Sequence, residues 1–500
     1  MGGLGRRTFV AGAVAGTATA ASMGGPFAGF LARTAGASGV THARPNPTLG
    51  PVPDKRDGIV RLWLPAGFAY RSFHDTESPV TLDDGTMLPG RHDGMGAFRG
   101  PNRNVVLVRN HEITNSPNTP AFGPGTPYDA QAGAGTTTVE VTPFGEVVRS
   151  YTSLNGTMYN CSGGVMPWGS WITCEETVNG PDVGPDFTGA SNESLQKPHG
   201  YIFEVPADGV SDRKPITRAG RFAHEAVSFD PVDGVLYLTE DNFEFASGFY
   251  RYIPATNPMR TGRLDNRGRL QMLAVKGRPN LHLEARQRVR ATYDVKWVDI
   301  ENPNPTFPYT PGQPARTTND AALVAVGDQG RARGAALFSR LEGQVYDKNV
   351  VYFTSTQGGG PAEDDSDDDN ATGFGRGNGQ VWAYHCRAQK LQVIYQAPDD
   401  PVEANRRFDF PDNITTSSRG TLVVCEDSTV DNYIRGLSRG GQLWDIALNR
   451  LRSQLTGLPR YGDEFAGSTF SPGGHTLFVN IQASRGLTFA IWGPWRKIGV

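Results

Sequence analysis

Pairs of acidic residues follow strongly apolar segments at three places in this chain of 500 residues. The pairs are Glu175-Glu176, Glu240-Asp241 and Glu426-Asp427. Carboxylates that are held close together raise one another's pKa unless a positive charge compensates them. Multivalent cations supply such charge, and calcium takes many oxygen ligands in flexible geometry. If the fold gathers these pairs, they form a metal site.

Polar residues also precede each apolar segment, and small residues often stand between these polar residues and the segment. Carboxylates, imidazoles, amides, a thiol and a guanidinium all occur in this set. Its members are His92 and Asp93, Asn160 and Cys161, His224 and Glu225, Arg340 and Glu342, Asp412 and Asn413, and Asp463 and Glu464. Which of these side chains meet depends on the elements that carry them.

Those elements form a pattern that recurs six times. Each copy has a polar start, then an apolar strand, then an alternating strand rich in aromatic residues, separated by Gly, Pro and Asp. The apolar strands cover residues 105–112, 171–176, 235–241, 350–356, 422–427 and 476–481, and the later strands cover 136–141, 201–205, 248–252, 380–384, 442–446 and 488–492. Six such copies predict an all-β fold, a six-bladed β-propeller. The wider gap between copies three and four predicts a long insertion over residues 253–335, in which residues 281–295 could form a helix.

In a propeller the first strand of every blade lines the central channel. The six polar starts are therefore expected to converge on the axis, although they lie far apart in sequence. The alternative for any single residue is that it caps a strand or faces solvent. Convergence of all six favours a metal-binding centre in the channel.

Composition limits the other classes of function. Lys and Arg number 48 against 51 Asp and Glu, a net charge of −3, and no basic block stands in the body of the chain, so nucleic acid is not expected as a partner. Cys161, Cys174, Cys386 and Cys425 are too few for a disulfide framework. One disulfide, or one catalytic or metal-binding thiolate, remains compatible with this number.

The N-terminus resembles a twin-arginine export signal. Arg6 and Arg7 precede a weakly apolar stretch over residues 11–31 and small residues at 35–37. We therefore predict a signal and leader over residues 1–43, a single catalytic propeller domain over 44–500, and export to the periplasm or the medium with the twin-arginine machinery as partner. The rest of the chain has no run of 18 apolar residues, so no stable membrane insertion is expected after processing.

Residues 157–176 resemble the signature of the PhoX-type alkaline phosphatases. The similarity continues in residues 220–226, 338–343, 424–427, 463–467 and 478–482. Together the matching segments extend from about residue 60 to the C-terminus.

The resemblance implies an exported six-bladed propeller that hydrolyses small phosphate monoesters through a cluster of iron(III) and calcium. By position, Cys161 is the implied iron-binding thiolate, with a catalytic role, and Glu225 and Glu342 are implied carboxylate ligands. Arg340 is the implied phosphate-binding residue. Either member of each acidic pair could bind metal, which gives Glu175, Glu176, Glu240, Asp241, Glu426 and Asp427 as candidates.

Two other readings of the sequence stay open. A calcium-dependent lactonase or phytase-like hydrolase could use the same architecture, as could a noncatalytic binding propeller with structural metals. The acidic loop over residues 363–370 lacks the central glycine and terminal glutamate of an EF-hand loop, which favours a solvated surface loop over a calcium site.

Overall fold

The computed structural model describes residues 46–113, 119–361 and 374–500. The predicted export segment over residues 1–43 and the acidic loop over 363–370 lie outside the described residues. The part of the chain that is described is all-β, as predicted, with short helices between some strands. None of its helices is both long enough and apolar enough to cross a membrane.

The strands are rich in β-branched and aromatic residues, which favour a pleated and half-buried surface. Many are joined by tight turns, such as the one at Lys348 and Asn349, whose φ angles of 51° and 68° suit a two-residue hairpin. In chain order the strands are β1 (Leu49–Pro53), β2 (Val60–Pro65), β3 (Ala69–Phe73), β4 (His92–Arg99), β5 (Val105–His111), β6 (Ala134–Val141), β7 (Val147–Thr157), β8 (Asn160–Met166), β9 (Ser170–Glu175), β10 (Ile202–Pro206), β11 (His224–Asp230), β12 (Val235–Glu240), β13 (Phe249–Ile253), β14 (Arg269–Val275), β15 (Thr292–Asp299), β16 (Leu341–Asp347), β17 (Val350–Ser355), β18 (Gln380–His385), β19 (Lys390–Gln396), β20 (Pro411–Thr416), β21 (Leu422–Glu426), β22 (Tyr433–Leu437), β23 (Leu443–Asn449), β24 (Glu464–Phe470), β25 (Thr476–Gln482) and β26 (Leu487–Trp492). The helices are α1 (Pro258–Thr261), α2 (Asn319–Val324), α3 (Gly327–Arg331), α4 (Pro401–Arg407) and α5 (Trp495–Ile498).

Six groups of antiparallel strands each begin with an innermost strand and continue outward. The innermost strands are β4, β8, β11, β16, β20 and β24. Each contacts the innermost strand of the next group, and β24 contacts β4, so the six strands form a closed ring. The six polar starts predicted from the sequence lie at or directly before the beginnings of these strands.

Apolar side chains fill the space between neighbouring groups. Between the sixth and first groups, for example, Phe478 packs in one cluster with Leu107 and Val139. The N-terminal strands complete the outer edges: β3 pairs with β26, and β2 pairs with β23. Strands from the two ends of the described chain therefore pair with each other in the fifth and sixth groups.

The structure differs from the sequence expectations in two elements. Residues 281–295 do not form a helix, because β15 begins at Thr292 and pairs with both β14 and β19, which joins the third and fourth groups into one sheet. In the fifth group the strand predicted as third, at residues 442–446, is the fourth, β23. The third is β22, whose glycine and arginine interrupt the apolar alternation.

Candidate metal centre

Five of the six innermost strands have a β-bulge at the same place near their start. In β4, His92 pairs with His111 and Met95 pairs with Arg109, so two residues of β4 oppose one residue of β5. A bulge re-aims the side chains it contains. The first bulged residues of the five strands are Asp93, Cys161, Glu225, Glu342 and Asp412. In β24 the bulge falls at Gly467 and Ser468, and the acidic residue is instead the first of the strand, Glu464.

Four innermost strands follow a large residue in the left-handed conformation. These residues are Arg91, Tyr159, Arg340 and Phe410, with φ between 41° and 47°. This conformation is costly for side chains of this kind and persists only where the surrounding structure imposes it. In β4 and β16 the second bulged residue is glycine, because the neighbouring strand approaches closely: a Cβ on Gly343 would lie 2.8 Å from the carbonyl oxygen of Asp412, and one on Gly94 would lie 2.8 Å from that of Cys161.

A second set of acids comes from the ends of the second strands. The residue after β5, β9, β12 and β21 is acidic in each case, and the strand's last residue pairs with the first of the innermost strand. These acids are Glu112, Glu176, Asp241 and Asp427. We call them, together with Asp93, Cys161, Glu225, Glu342, Asp412 and Glu464, the acidic cluster.

The acids of the cluster lie close enough to affect one another's protonation. Burial raises the pKa of Asp93 well above its usual range, and the charges of Glu112 and Asp412 raise it further. Burial and the charge of Glu342 do the same for Glu225. Burial and Asp427 raise the pKa of Asp412 to about 8. Together, these residues form a site that can bind cations.

Cys161 belongs to one subset of potential ligands. Its Sγ and carboxylate oxygens of Glu176 and Glu225 are all within 4.8 Å of one another, as are oxygens of Glu225, Glu342 and Asp412. Burial raises the pKa of the Cys161 thiol well above its usual range, and the charges of Glu225 and Glu176 add to this effect. All four cysteines are free, so Cys161 is not bonded to Cys174.

Arg340 lies beside the cluster, directly before β16. Its Nε and Nη2 donate to the carboxylate of Asp241 at 3.2 and 2.7 Å, and Nη2 also donates to Glu342 at 2.7 Å. Its Nη1 reaches Gln357 at 3.4 Å. Burial alone would lower the pKa of Arg340, but Asp241 and Glu342 outweigh it and raise that pKa, so the guanidinium stays charged.

The structure separates the two members of each predicted acidic pair. Successive residues of a strand point to opposite sides, so only one member can face the ring centre. The second members, Glu176, Asp241 and Asp427, belong to the acidic cluster.

The first members lie inside their own strand groups. Glu175 accepts hydrogen bonds from His199 and from three backbone N–H groups. Glu240 accepts from the Tyr250 hydroxyl and the Gly248 N–H. Glu426 accepts from Arg435 and the Tyr433 N–H. The structure therefore does not bring Glu175, Glu240 and Glu426 to the cluster, because these partners hold their carboxylates elsewhere.

The cluster contains four acids that were not among the ligands predicted from the sequence. Asp93, Asp412 and Glu464 stand in the polar starts, and that position was the available signal. Glu112 occupies the position of the second acid of the three acidic pairs, but the residue before it is His111, so the pair pattern did not identify it.

The residues of the cluster fit bound cations. Nine carboxylates and one thiol meet, yet among the described residues only two arginines form salt bridges with them: Arg340, and Arg91 with Glu112 at 3.8 Å. Buried like charges in such excess require either protons or metal ions. Oxygen donors suit hard cations such as calcium, and the thiol adds a softer donor for a transition metal.

Comparison with known proteins identifies a family. The family model described as Alkaline phosphatase PhoX matches residues 48–147 and 144–484, which confirms the resemblance seen in the sequence. No curated protein matches the chain significantly.

Solved structures with some similarity include a gluconolactonase from Xanthomonas campestris, with 12% identity over 90% of this chain and 100% of that chain and a TM-score of 0.38. A streptogramin B lyase has 10% identity over 86% and 98% of the two chains, with a TM-score of 0.38. The virginiamycin B lyase from Staphylococcus aureus has 11% identity over 85% and 99%, with a TM-score of 0.37. Similarity at this level indicates neither an activity nor a substrate.

Proposed function

Because the chain belongs to the alkaline phosphatase PhoX family, we propose that it is a metal-dependent phosphatase that hydrolyses phosphate monoesters at the acidic cluster. One observation carries the proposal: a guanidinium, that of Arg340, lies beside a concentration of oxygen and sulfur donors. Bound cations and a guanidinium are two of the devices with which proteins bind the charge of a phosphoryl group.

We propose the finer features of the fold and location on the same basis. The closed ring of six innermost strands supports a six-bladed β-propeller, with residues 44–500 as one catalytic domain. Residues 254–340, between the third and fourth groups, extend their sheets and carry three short helices, which is compatible with the predicted insertion. The Arg6-Arg7 segment supports export by the twin-arginine route.

The proposed cofactors are iron(III) and calcium. Cys161, with Glu176 and Glu225, would hold iron, since this subset includes the thiol. Glu342, Asp412, Asp241 and Asp427 are the carboxylates that we assign to calcium. When bound, the cations supply Lewis acidity that polarises the phosphoryl oxygens.

The protein's own groups perform the remaining tasks. Arg340 binds the phosphoryl oxygens with its planar fork, which Asp241 and Gln357 orient in advance. The Cys161 thiol gives up its proton when the site is loaded, because only the thiolate is a good ligand. Asp241 and Glu342 keep Arg340 charged throughout.

Elemental analysis combined with activity assays tests the proposal. Protein purified after its native export should contain iron together with calcium and should hydrolyse p-nitrophenyl phosphate. Calcium without iron, with lactone hydrolysis, would support a lactonase instead. Bound metal without either activity would indicate a noncatalytic binding protein.

A further inference from the structure

An exposed aromatic side chain covers one face of Arg340. Phe243 stands two residues after Asp241, in the segment between β12 and β13, and its side chain is 58% exposed. The Cζ atom of Arg340 lies 4.0 Å from the centre of the Phe243 ring. This distance is well within the range of a cation–π contact.

A single exposed phenyl group needs no special explanation, but this one has an unusual partner. Four of the five N–H groups of Arg340 are directed to Asp241, Glu342 and Gln357, which leaves one N–H group of Nη1 for a ligand, and Phe243 covers one face of the guanidinium. In the proposed function the phosphoryl group binds Arg340, so Phe243 is an exposed apolar side chain directly beside the binding residue. The exposed part of that ring is then available to the ester group.

A second exposed phenyl group lies at the same end of the ring of strands. Phe187, which is 83% exposed, follows β9, and its ring centre is 6.4 Å from that of Tyr159. Tyr159 is buried directly before β8, and burial, Asp186, Glu112 and Glu176 raise its pKa, so it borders the acidic cluster. Apolar surface is thus present at two places around a strongly polar centre.

We propose that the site prefers phosphomonoesters with an aromatic ester group, and that Phe243 is the specificity-determining residue. The inference rests on the proposed function. In the hydrolysis, the bond between phosphorus and the aryl oxygen breaks and the oxygen of water forms the new bond to phosphorus. The aryl oxygen leaves as a phenol with a proton that comes from this water. The preference arises because the aromatic group stacks on Phe243 while the phosphoryl group binds Arg340.

Binding of two phosphonates separates recognition of the ester group from catalysis. Calorimetry on the metal-loaded full chain would give Kd values for phenylphosphonate and methylphosphonate. The parent protein should bind phenylphosphonate more tightly, by roughly three- to tenfold, as expected for one aromatic contact. Phe243→Ala should remove this difference and leave the Kd of methylphosphonate unchanged. Phe243→Tyr should retain the difference, because the ring remains.

Phe144→Ala provides a matched control. Phe144 lies in the turn between β6 and β7, away from the acidic cluster, is 54% exposed and packs on Trp492 of β26. Its removal should therefore change neither Kd. The inference fails if Phe243→Ala weakens both phosphonates equally, since the ring then acts only through Arg340. It also fails if Phe243→Ala leaves both Kd values unchanged. If the loaded parent protein binds neither phosphonate and hydrolyses no phosphate ester, the proposed function itself fails.

Discussion

Cys161 occupies the bulge position that four other innermost strands fill with a carboxylate. Its Sγ lies 3.2 Å from the carbonyl oxygen of His224 and within 4.8 Å of carboxylate oxygens of Glu176 and Glu225. We expect Cys161→Ser to lose iron and phosphatase activity together, because an alcohol is a far poorer ligand for iron. Metal analysis, a rate assay and circular dichroism would measure this. A folded variant with unchanged iron content and rate would make Cys161 a structural residue.

Arg340 tests the phosphate-binding part of the proposal. Arg340→Lys keeps the charge but loses the fork that can bind two oxygens. We expect kcat/KM for p-nitrophenyl phosphate to fall by about tenfold to a hundredfold, as for one charge-assisted hydrogen bond of roughly 1.5–3 kcal/mol. Inhibition by inorganic phosphate should weaken in parallel, with metal content unchanged. If Arg340→Lys had the same rate and the same phosphate inhibition as the parent protein, Arg340 would only form structural ion pairs with Asp241 and Glu342.

At the level of strands, Glu175 and Glu176 form a matched pair of neighbours with opposite surroundings. Glu176→Gln should lower the metal content and activity with little effect on folding. Glu175→Gln should keep the metals but lower the free energy of unfolding by roughly 3–5 kcal/mol, because it breaks a buried charge pair with His199. Chemical denaturation and metal analysis of both variants would separate these effects. Loss of metal in Glu175→Gln, without loss of stability, would place Glu175 among the ligands.

The same buried pair predicts a pH dependence of stability. Burial would lower the pKa of His199, but the carboxylates of Glu175 and Asp129 outweigh burial and raise it from 6.5 to about 9. The stabilisation is therefore fully present below a pH of about 6.5 and is lost as the pH rises through about 9. Thermal denaturation of the calcium-loaded protein across this range should show the loss. His199→Gln should show a smaller decline, and an identical decline in both proteins would contradict this role.

The strand pattern made much of this arrangement predictable. Alternation and turn residues located the innermost strands, and with them Cys161, Glu225 and Glu342. Alternation also requires that Glu175 and Glu176 point to opposite sides, but it does not reveal which side faces the ring centre. That choice depends on His199 and the backbone around Gly200, which reach Glu175 from a separate segment. The sequence of residues 281–295 allowed a helix, whereas the structure places residues from Thr292 onward in β15, which pairs with the distant strand β19.

Across the whole molecule, the ring brings together acids from all six strand groups. No single group contributes more than two residues of the acidic cluster, so the site exists only when the ring is closed. The sixth group is completed by β3, which pairs with β26 from the opposite end of the described chain. Folding and metal binding are therefore coupled, because an open ring cannot assemble the ligands.

Removing the metals should consequently affect both rate and stability, and the stability effect should depend on pH. Burial and the charge of Asp427 outweigh the nearby arginines and raise the pKa of Glu112 from 4.5 to about 7 and that of Asp412 from 3.8 to about 8. Because the metal-free folded state then binds more protons than the unfolded state, its stability falls as the pH rises from about 4 to about 8.

Bound cations remove this penalty, so calcium should raise the Tm of chelator-treated protein more near the upper end of this pH range than near its lower end. Thermal denaturation with and without calcium would measure the difference. At a temperature well below the Tm, chelation should abolish phosphatase activity while the circular dichroism spectrum stays unchanged, because the cations act on the substrate as well as on the fold. A rate that falls only in step with unfolding would instead assign the metals a purely structural role.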